Sequence, residues 1–279
     1  MKNYTQSPLP FQGQKRKFLN HVKQVLTNSS EDATYVDLFG GSGILSHTVK
    51  QLKPNAKVIY NDYDDFSKRL AAVAQTNVLL DKIRAITNGL PKDKLIPEVH
   101  KLKLLELIKN EECRLGYVDY ITLSSSLLFS AKYVTNYNDL AKQTFYNNVR
   151  QSNYVTDDYL AGVEIVHQDY KELFDQYKDL DNVVFLVDPP YLSTDTSTYT
   201  SDKYWKLKDY LNVLDVLVGT NYLYFTSNKS QIIELCQWME DRTSIAEVNP
   251  FSGSTTVCVN TTLNHSAKYT DMMLYKLNL

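Results

Sequence analysis

Apolar side chains run unbroken from Val183 to Val187, and shorter apolar runs end at Leu38–Phe39 and at Ile59–Tyr60. Strands buried on both faces have this pattern, because no position faces water and the period-two alternation disappears. The residues predict strands over 34–39, 56–62, 162–170, 182–190 and 221–228, with edge strands near 244–249 and 269–277. Helical periodicity follows the first strand to about Leu52 and returns around 203–218 and 229–241. Strand, turn, helix and strand in that order is the doubly wound α/β arrangement, in which ligands sit outside the carboxyl ends of the strands.

Between the second and third strands the pattern changes for about a hundred residues, a length read from the sequence. From Phe66 to about Leu160 it is mostly helical, with helices over 70–86, 100–108 and 120–130. A crossover needs only about a dozen residues, so the excess predicts an inserted lobe. The division expected is 1–66 and 161–279 for a catalytic domain in two parts, with 67–160 inserted.

Net charge is −2, so overall charge neither proposes nor excludes a polyanionic partner. Its distribution says more: residues 1–23 carry Lys2, Lys15, Arg16, Lys17 and Lys23 with no acid, and 67–160 carry 13 Lys and Arg against 10 Asp and Glu. Three scattered cysteines propose no disulfide framework, and five scattered histidines have no metal-ligand spacing. The N-terminus lacks an apolar signal region and no apolar run approaches the roughly 20 residues of a membrane span. A cytoplasmic protein without membrane partner or metal is expected.

Two stretches carry chemistry. In Asp-Leu-Phe-Gly-Gly-Ser-Gly (37–43), Gly40, Gly41 and Gly43 permit a tight turn and a close backbone approach before a helix N-terminus. Such turns also cap strands that bind nothing. Asp62, 21 residues beyond Gly41 at the end of the next strand, is placed to bind ribose hydroxyls, and the pair points to a nucleoside-bearing cofactor. Ser46 stands where a dinucleotide fingerprint wants glycine, and the Lys-Ser/Thr pair of a phosphate loop is missing. A cofactor without a pyrophosphate, such as S-adenosylmethionine, fits better.

The second stretch is Asp188-Pro189-Pro190-Tyr191, at the end of the most apolar strand. The prolines fix φ and offer no N–H, so Asp188 and the Pro189 carbonyl form a stiff, acceptor-only cradle suited to an exocyclic amine. Tyr191 adds a flat ring on which a base can stack, worth ~1–3 kcal/mol. An RNA base or a glutamine amide would satisfy the same cradle, and a catalytically silent DNA-binding protein could retain it.

With both motifs, the chain resembles the S-adenosylmethionine-dependent DNA adenine N6-methyltransferases of restriction-modification systems and phages. The resemblance implies a Rossmann-like methyltransferase sheet with an inserted, mostly helical DNA-recognition lobe, double-stranded DNA as partner, and a bacterial or phage-infected cell with a cognate restriction endonuclease as genetic partner. It makes Asp188, Pro189, Pro190 and Tyr191 catalytic, acting on a flipped adenine. It places Phe39 and the glycine loop on the cofactor, with Asp37 or the loop backbone at the methionine end, Asp62 at the ribose and Asp169 at the adenine. Pro-Phe-Gln-Gly-Gln-Lys-Arg (10–16) resembles the family's opening motif, with Phe11, Gly13 and Lys15 around the cofactor, although the usual tryptophan and paired glycines are replaced. Arg16, Lys17, Lys132, Lys142, Arg150 and Tyr199 are the expected DNA contacts.

Overall fold

The computed structural model describes residues 2–129, 132–191, 205–242, 249–264 and 267–278. A seven-stranded sheet is built from β1 (Thr34–Asp37), β2 (Lys57–Asn61), β3 (Glu164–Val166), β4 (Val183–Val187), β5 (Asn221–Ser227), β6 (Thr255–Asn264) and β7 (Ala267–Lys276), in the order β3-β2-β1-β4-β5-β7-β6. β1 to β5 pair in parallel, and β7 enters antiparallel between β5 and β6. Helices α1 (Leu19–Leu26) and α2 (Ile44–Leu52) precede β2, followed by α3 (Phe66–Ala71), α4 (Val73–Thr87), α5 (Glu98–Leu115), α6 (Tyr120–Leu127) and α7 (Tyr137–Ala141). After β3 come α8 (Tyr170–Tyr177), α9 (Leu207–Leu217) and α10 (Ile232–Glu240).

The chain divides into two compact units: one of 1–6, 14–64 and 158–279, the other of 7–13 and 65–157. The first contains the whole sheet. Val183, Phe185 and Val187 of β4 share a buried cluster with Leu173 of α8, Val213 and Leu217 of α9, and Cys236 of α10. Val184 and Leu186 point the other way and are also fully buried, which is why β4 lacks polar positions. Each such side chain contributes about 1.5–3 kcal/mol on burial.

The second unit is helical, with its centre marked by an ion pair. Arg69 of α3 donates from Nε to both oxygens of Asp119 at 3.1 Å, and from a terminal nitrogen to the Pro10 carbonyl at 2.8 Å. Asp119 also caps α6, accepting from the Thr122 amide at 3.0 Å. Both charges are almost wholly buried, so each depends on the other. Phe11 packs edge-on against Phe66 with centroids 5.7 Å apart, and these contacts hold segment 7–13 to the helices.

One expectation about edges is revised: the strand expected at an edge near 269–277 is β7, and it lies between β5 and β6, while the edge is formed by β6, Thr255–Asn264, for which the sequence shows no clear strand pattern. The edge strand expected near 244–249 lies largely outside the described residues. Among the described residues no helix is long and apolar enough to cross a membrane.

Candidate active site

Register places three carboxylates at the carboxyl ends of adjacent parallel strands. β1 lies between β2 and β4, with Asp37 opposite Tyr60 on one side and Leu186 on the other, so Asp62 and Asp188 follow at the ends of its neighbours. β1 also separates the two directions in which the sheet grows, which is the switch point where open α/β sheets leave a crevice.

The glycine turn begins there. Gly43 adopts φ +70° and its amide donates to the Gly40 carbonyl at 2.8 Å, closing the turn from which α2 starts. Gly40 admits no side chain, since a Cβ would stand 2.1 Å from the Tyr60 ring. Asp37 is fully buried, with its Oδ2 accepting from Ser46 Oγ at 2.6 Å. Burial pushes its carboxyl up to about 7, against the lowering effect of the Ser46 hydroxyl and with added repulsion from Asp188. Asp62 is buried at the end of β2 and is oriented by the Tyr60 hydroxyl, 3.0 Å from its Oδ1.

At the end of β4, Lys15 Nζ lies 2.6 Å from Asp188 Oδ2 and 5.0 Å from the centre of the Tyr191 ring. Both partners are largely out of water, with side chains 9% and 17% exposed. Asp188 Oδ1 is buried and has no hydrogen-bond partner among the described residues. Burial raises the Asp188 pKa to about 6, and the Lys15 ammonium opposes the rise. A buried, orphaned carboxylate oxygen beside two prolines is an acceptor awaiting a donor.

Other expected residues take varied positions. Phe39 packs on Tyr170 at 4.8 Å and edge-on to Trp205 at 5.9 Å. Asp169 is exposed and caps α8, accepting from the Lys171 amide at 2.8 Å. Phe11 and Gly13 belong to the helical unit, Lys15 to the sheet unit. Arg16 is exposed and donates to Gln6 Oε1 at 3.3 Å, while Lys17 donates to the Asn260 carbonyl of β6 at 3.3 Å. In the helical unit Lys132 is exposed, Lys142 pairs with Asp139 at 3.0 Å, and Arg150 stacks on Tyr154 at 4.6 Å while donating to Ser152. Tyr199 lies outside the described residues. Among the described residues no cluster of three or more His, Cys, Asp or Glu could hold a metal.

Tyr60, Tyr159, Tyr170 and Trp205 border the loop or its aromatic neighbour and were not singled out from sequence. Only Tyr60 had a signal, as the residue two before Asp62.

The family model for D12 class N6 adenine-specific DNA methyltransferases matches residues 11–218. The chain belongs to that family. It is also 37% identical over 281 residues to a Haemophilus influenzae strain Rd protein described as a candidate methyltransferase, covering 99% of this chain and 93% of the relative. The enzyme is therefore an S-adenosylmethionine-dependent, site-specific DNA adenine N6-methyltransferase. Membership sets aside the RNA base and glutamine amide that the cradle alone would accept.

The donor set fits the family's cofactor. A left-handed glycine turn opening a helix, with a buried carboxylate at the next strand end, suits a ribose and an amino-acid tail.

Proposed function

We propose that Asp188 Oδ1 and the Pro189 carbonyl receive the two amine hydrogens of a flipped adenine, and that Lys15 holds Asp188 ready for them. The buried Oδ1 with no partner among the described residues carries this reading, since leaving such an oxygen unpaired costs ~1–3 kcal/mol unless a donor arrives. The base must leave the duplex, because its paired, stacked amine cannot be approached in line. Tyr191 offers the stacking face, and Pro190 keeps the turn from relaxing as the base enters.

Both acceptors draw on the amine hydrogens, so the nitrogen lone pair turns out of the ring's conjugation and toward the methyl group. S-adenosylmethionine supplies an electrophilic methyl on a sulfonium sulfur. The new N–C bond would replace the methyl's bond to sulfur, with S-adenosylhomocysteine as the leaving thioether, and would make the amine acidic; Asp188 Oδ1 is the near atom to hold the proton that leaves. Burial prepares it for that role by raising its basicity. The bound cofactor is assigned to the loop backbone at its methionine end, with Asp37 acting through Ser46, Asp62 at the ribose, and Phe39 and Asp169 at the adenine. Phe11 and Gly13 remain assigned to the cofactor by resemblance.

Arg16, Lys17, Lys132, Lys142, Arg150 and Tyr199 are assigned to DNA. The 67–160 segment is assigned to target recognition, between catalytic segments 1–66 and 161–279. The amine methylated lies in the major groove, where a methyl group blocks an endonuclease reading the same sequence. A cognate restriction endonuclease is therefore the genetic partner we infer, and the cytoplasm of a bacterial or phage-infected cell the place of action.

The test uses labelled S-adenosylmethionine and methyl-free genomic DNA, with N6-methyladenine identified after hydrolysis. Asp188→Ala is expected to lower single-turnover methylation about 10²–10³-fold, the range for losing a key polar group at the reacting centre, while calorimetric cofactor affinity stays within threefold. An unchanged rate in Asp188→Ala removes Asp188 from the chemistry.

A further inference from the structure

Within the sheet unit, the carbonyls of the glycine turn are held by two tyrosines that flank the crossings of the chain into and out of the other unit. The Tyr60 hydroxyl lies 2.7 Å from the Gly41 carbonyl and shares its single hydrogen between that oxygen and Asp62. Tyr159 donates to the Ser42 carbonyl at 2.9 Å. Tyr60 precedes the departure at Asp64, and Tyr159 directly follows the return at Asp158.

Tyr159 is itself fixed. Its ring stacks on His47 of α2, with centroids 4.9 Å apart and planes 20° from parallel. A carbonyl only accepts and an amide only donates, which assigns both imidazole nitrogens. Nδ1–H donates to the Tyr159 carbonyl at 2.6 Å, and Nε2 accepts from the Tyr4 amide at 3.1 Å. The fully buried imidazole is neutral, with its pKa lowered by burial.

We propose that Tyr60 and Tyr159 are positioning residues for the cofactor, fixing the peptide planes of Gly41 and Ser42 so that the loop meets its ligand already formed. A trans peptide points its C=O and N–H in opposite directions. Holding the Gly41 carbonyl on the Tyr60 side therefore aims the Ser42 amide the other way. Holding the Ser42 carbonyl sets the Gly43 amide, which closes the turn onto Gly40. With two of its residues at positive φ, the loop has several accessible conformations unless its carbonyls are held. The proposal rests on reading this loop as the cofactor cradle.

Tyr159→Phe and Tyr60→Phe keep the rings and remove only the hydroxyls. Each variant is expected to raise the calorimetric Kd for S-adenosylhomocysteine about tenfold, Tyr159→Phe by freeing the buried Ser42 carbonyl and Tyr60→Phe by freeing the part-buried Gly41 carbonyl together with Asp62 Oδ1. The cofactor KM should rise by the same factor, with kcat at saturation and DNA affinity within twofold of wild type. A lowered melting temperature with unchanged Kd in both variants makes the contacts structural only and overturns the proposal. Hydrogen exchange on the wild type separates this from failure of the cradle reading. If S-adenosylhomocysteine binds without slowing exchange across residues 41–46, the cradle reading falls and the proposal with it. If exchange slows there while both variants bind normally, the positioning role alone falls.

Discussion

At Asp188 burial and the Lys15 ammonium pull in opposite directions, and burial wins, leaving the carboxyl raised from 3.8 to about 6. The folded value lies above the unfolded one. The group's contribution to stability is therefore full below about 3.8 and lost as pH rises through about 6. The fold thus bears its largest cost from this residue at neutral pH, where the ionised oxygen can accept an amine hydrogen. The turnover rate at saturating cofactor and DNA is expected to fall toward acid through pH 6, approaching tenfold per unit. Lys15→Met should move that limb to higher pH, because it removes the cation that favours the carboxylate. A limb that stays in place in Lys15→Met would assign the titration elsewhere, with Asp37, raised to about 7, the next group to consider. The Asp-Pro-Pro-Tyr tetrad can be proposed as a site from sequence because its chemistry is local: acceptors, stiffness and a ring in four consecutive residues. The Lys15 partnership was not, since folding brings together residues distant in sequence and no spacing rule links them.

Elements were legible where burial is uniform. β1, β2, β4 and β5 read as apolar runs because both faces of the sheet are covered there. β6 is Thr-Thr-Val-Cys-Val-Asn-Thr-Thr-Leu-Asn, and over Thr255–Asn260 its burial alternates only weakly, which gave no clear strand signal. α8 raises a different question, because Asp169 is both the assigned adenine contact and the cap of its first turn. The roles separate by substitution. Serine also caps, so Asp169→Ser is expected to retain stability within about 0.5 kcal/mol, whereas Asp169→Ala loses about 1 kcal/mol in urea unfolding. The cofactor contact needs the carboxylate, so both variants should weaken calorimetric cofactor binding. Normal affinity in Asp169→Ser would leave Asp169 a cap and nothing more.

For the whole molecule, the difficulty is how a chain of net charge −2 holds a polyanion, and the sequence could answer only through where its charges lie. The grouping of residues 7–13 with the helical unit was beyond that reading, because it depends on Arg69 reaching the Pro10 carbonyl and on Phe11 meeting Phe66. That grouping divides the opening motif, leaving Lys15, Arg16 and Lys17 with the sheet unit. The three cations then differ in what they have to give up. Lys15 is buried in an ion pair with Asp188, whereas Arg16 and Lys17 are exposed, and their contacts include an amide oxygen and a backbone carbonyl, respectively, each at 3.3 Å. Trading such contacts for phosphate releases counterions from DNA at little cost to the protein. Replacing Arg16 and Lys17 together by glutamine is expected to weaken binding to unrelated duplexes about equally and to reduce the slope of log K against log salt by up to about two phosphate contacts. Lys15→Met should leave that slope within half a contact of wild type, because its charge is already spent on Asp188. Titrations of one specific and one unrelated duplex at four salt concentrations measure both effects. A slope lowered by Lys15→Met and untouched by the double variant would place the buried lysine, not the exposed pair, against the backbone of the DNA.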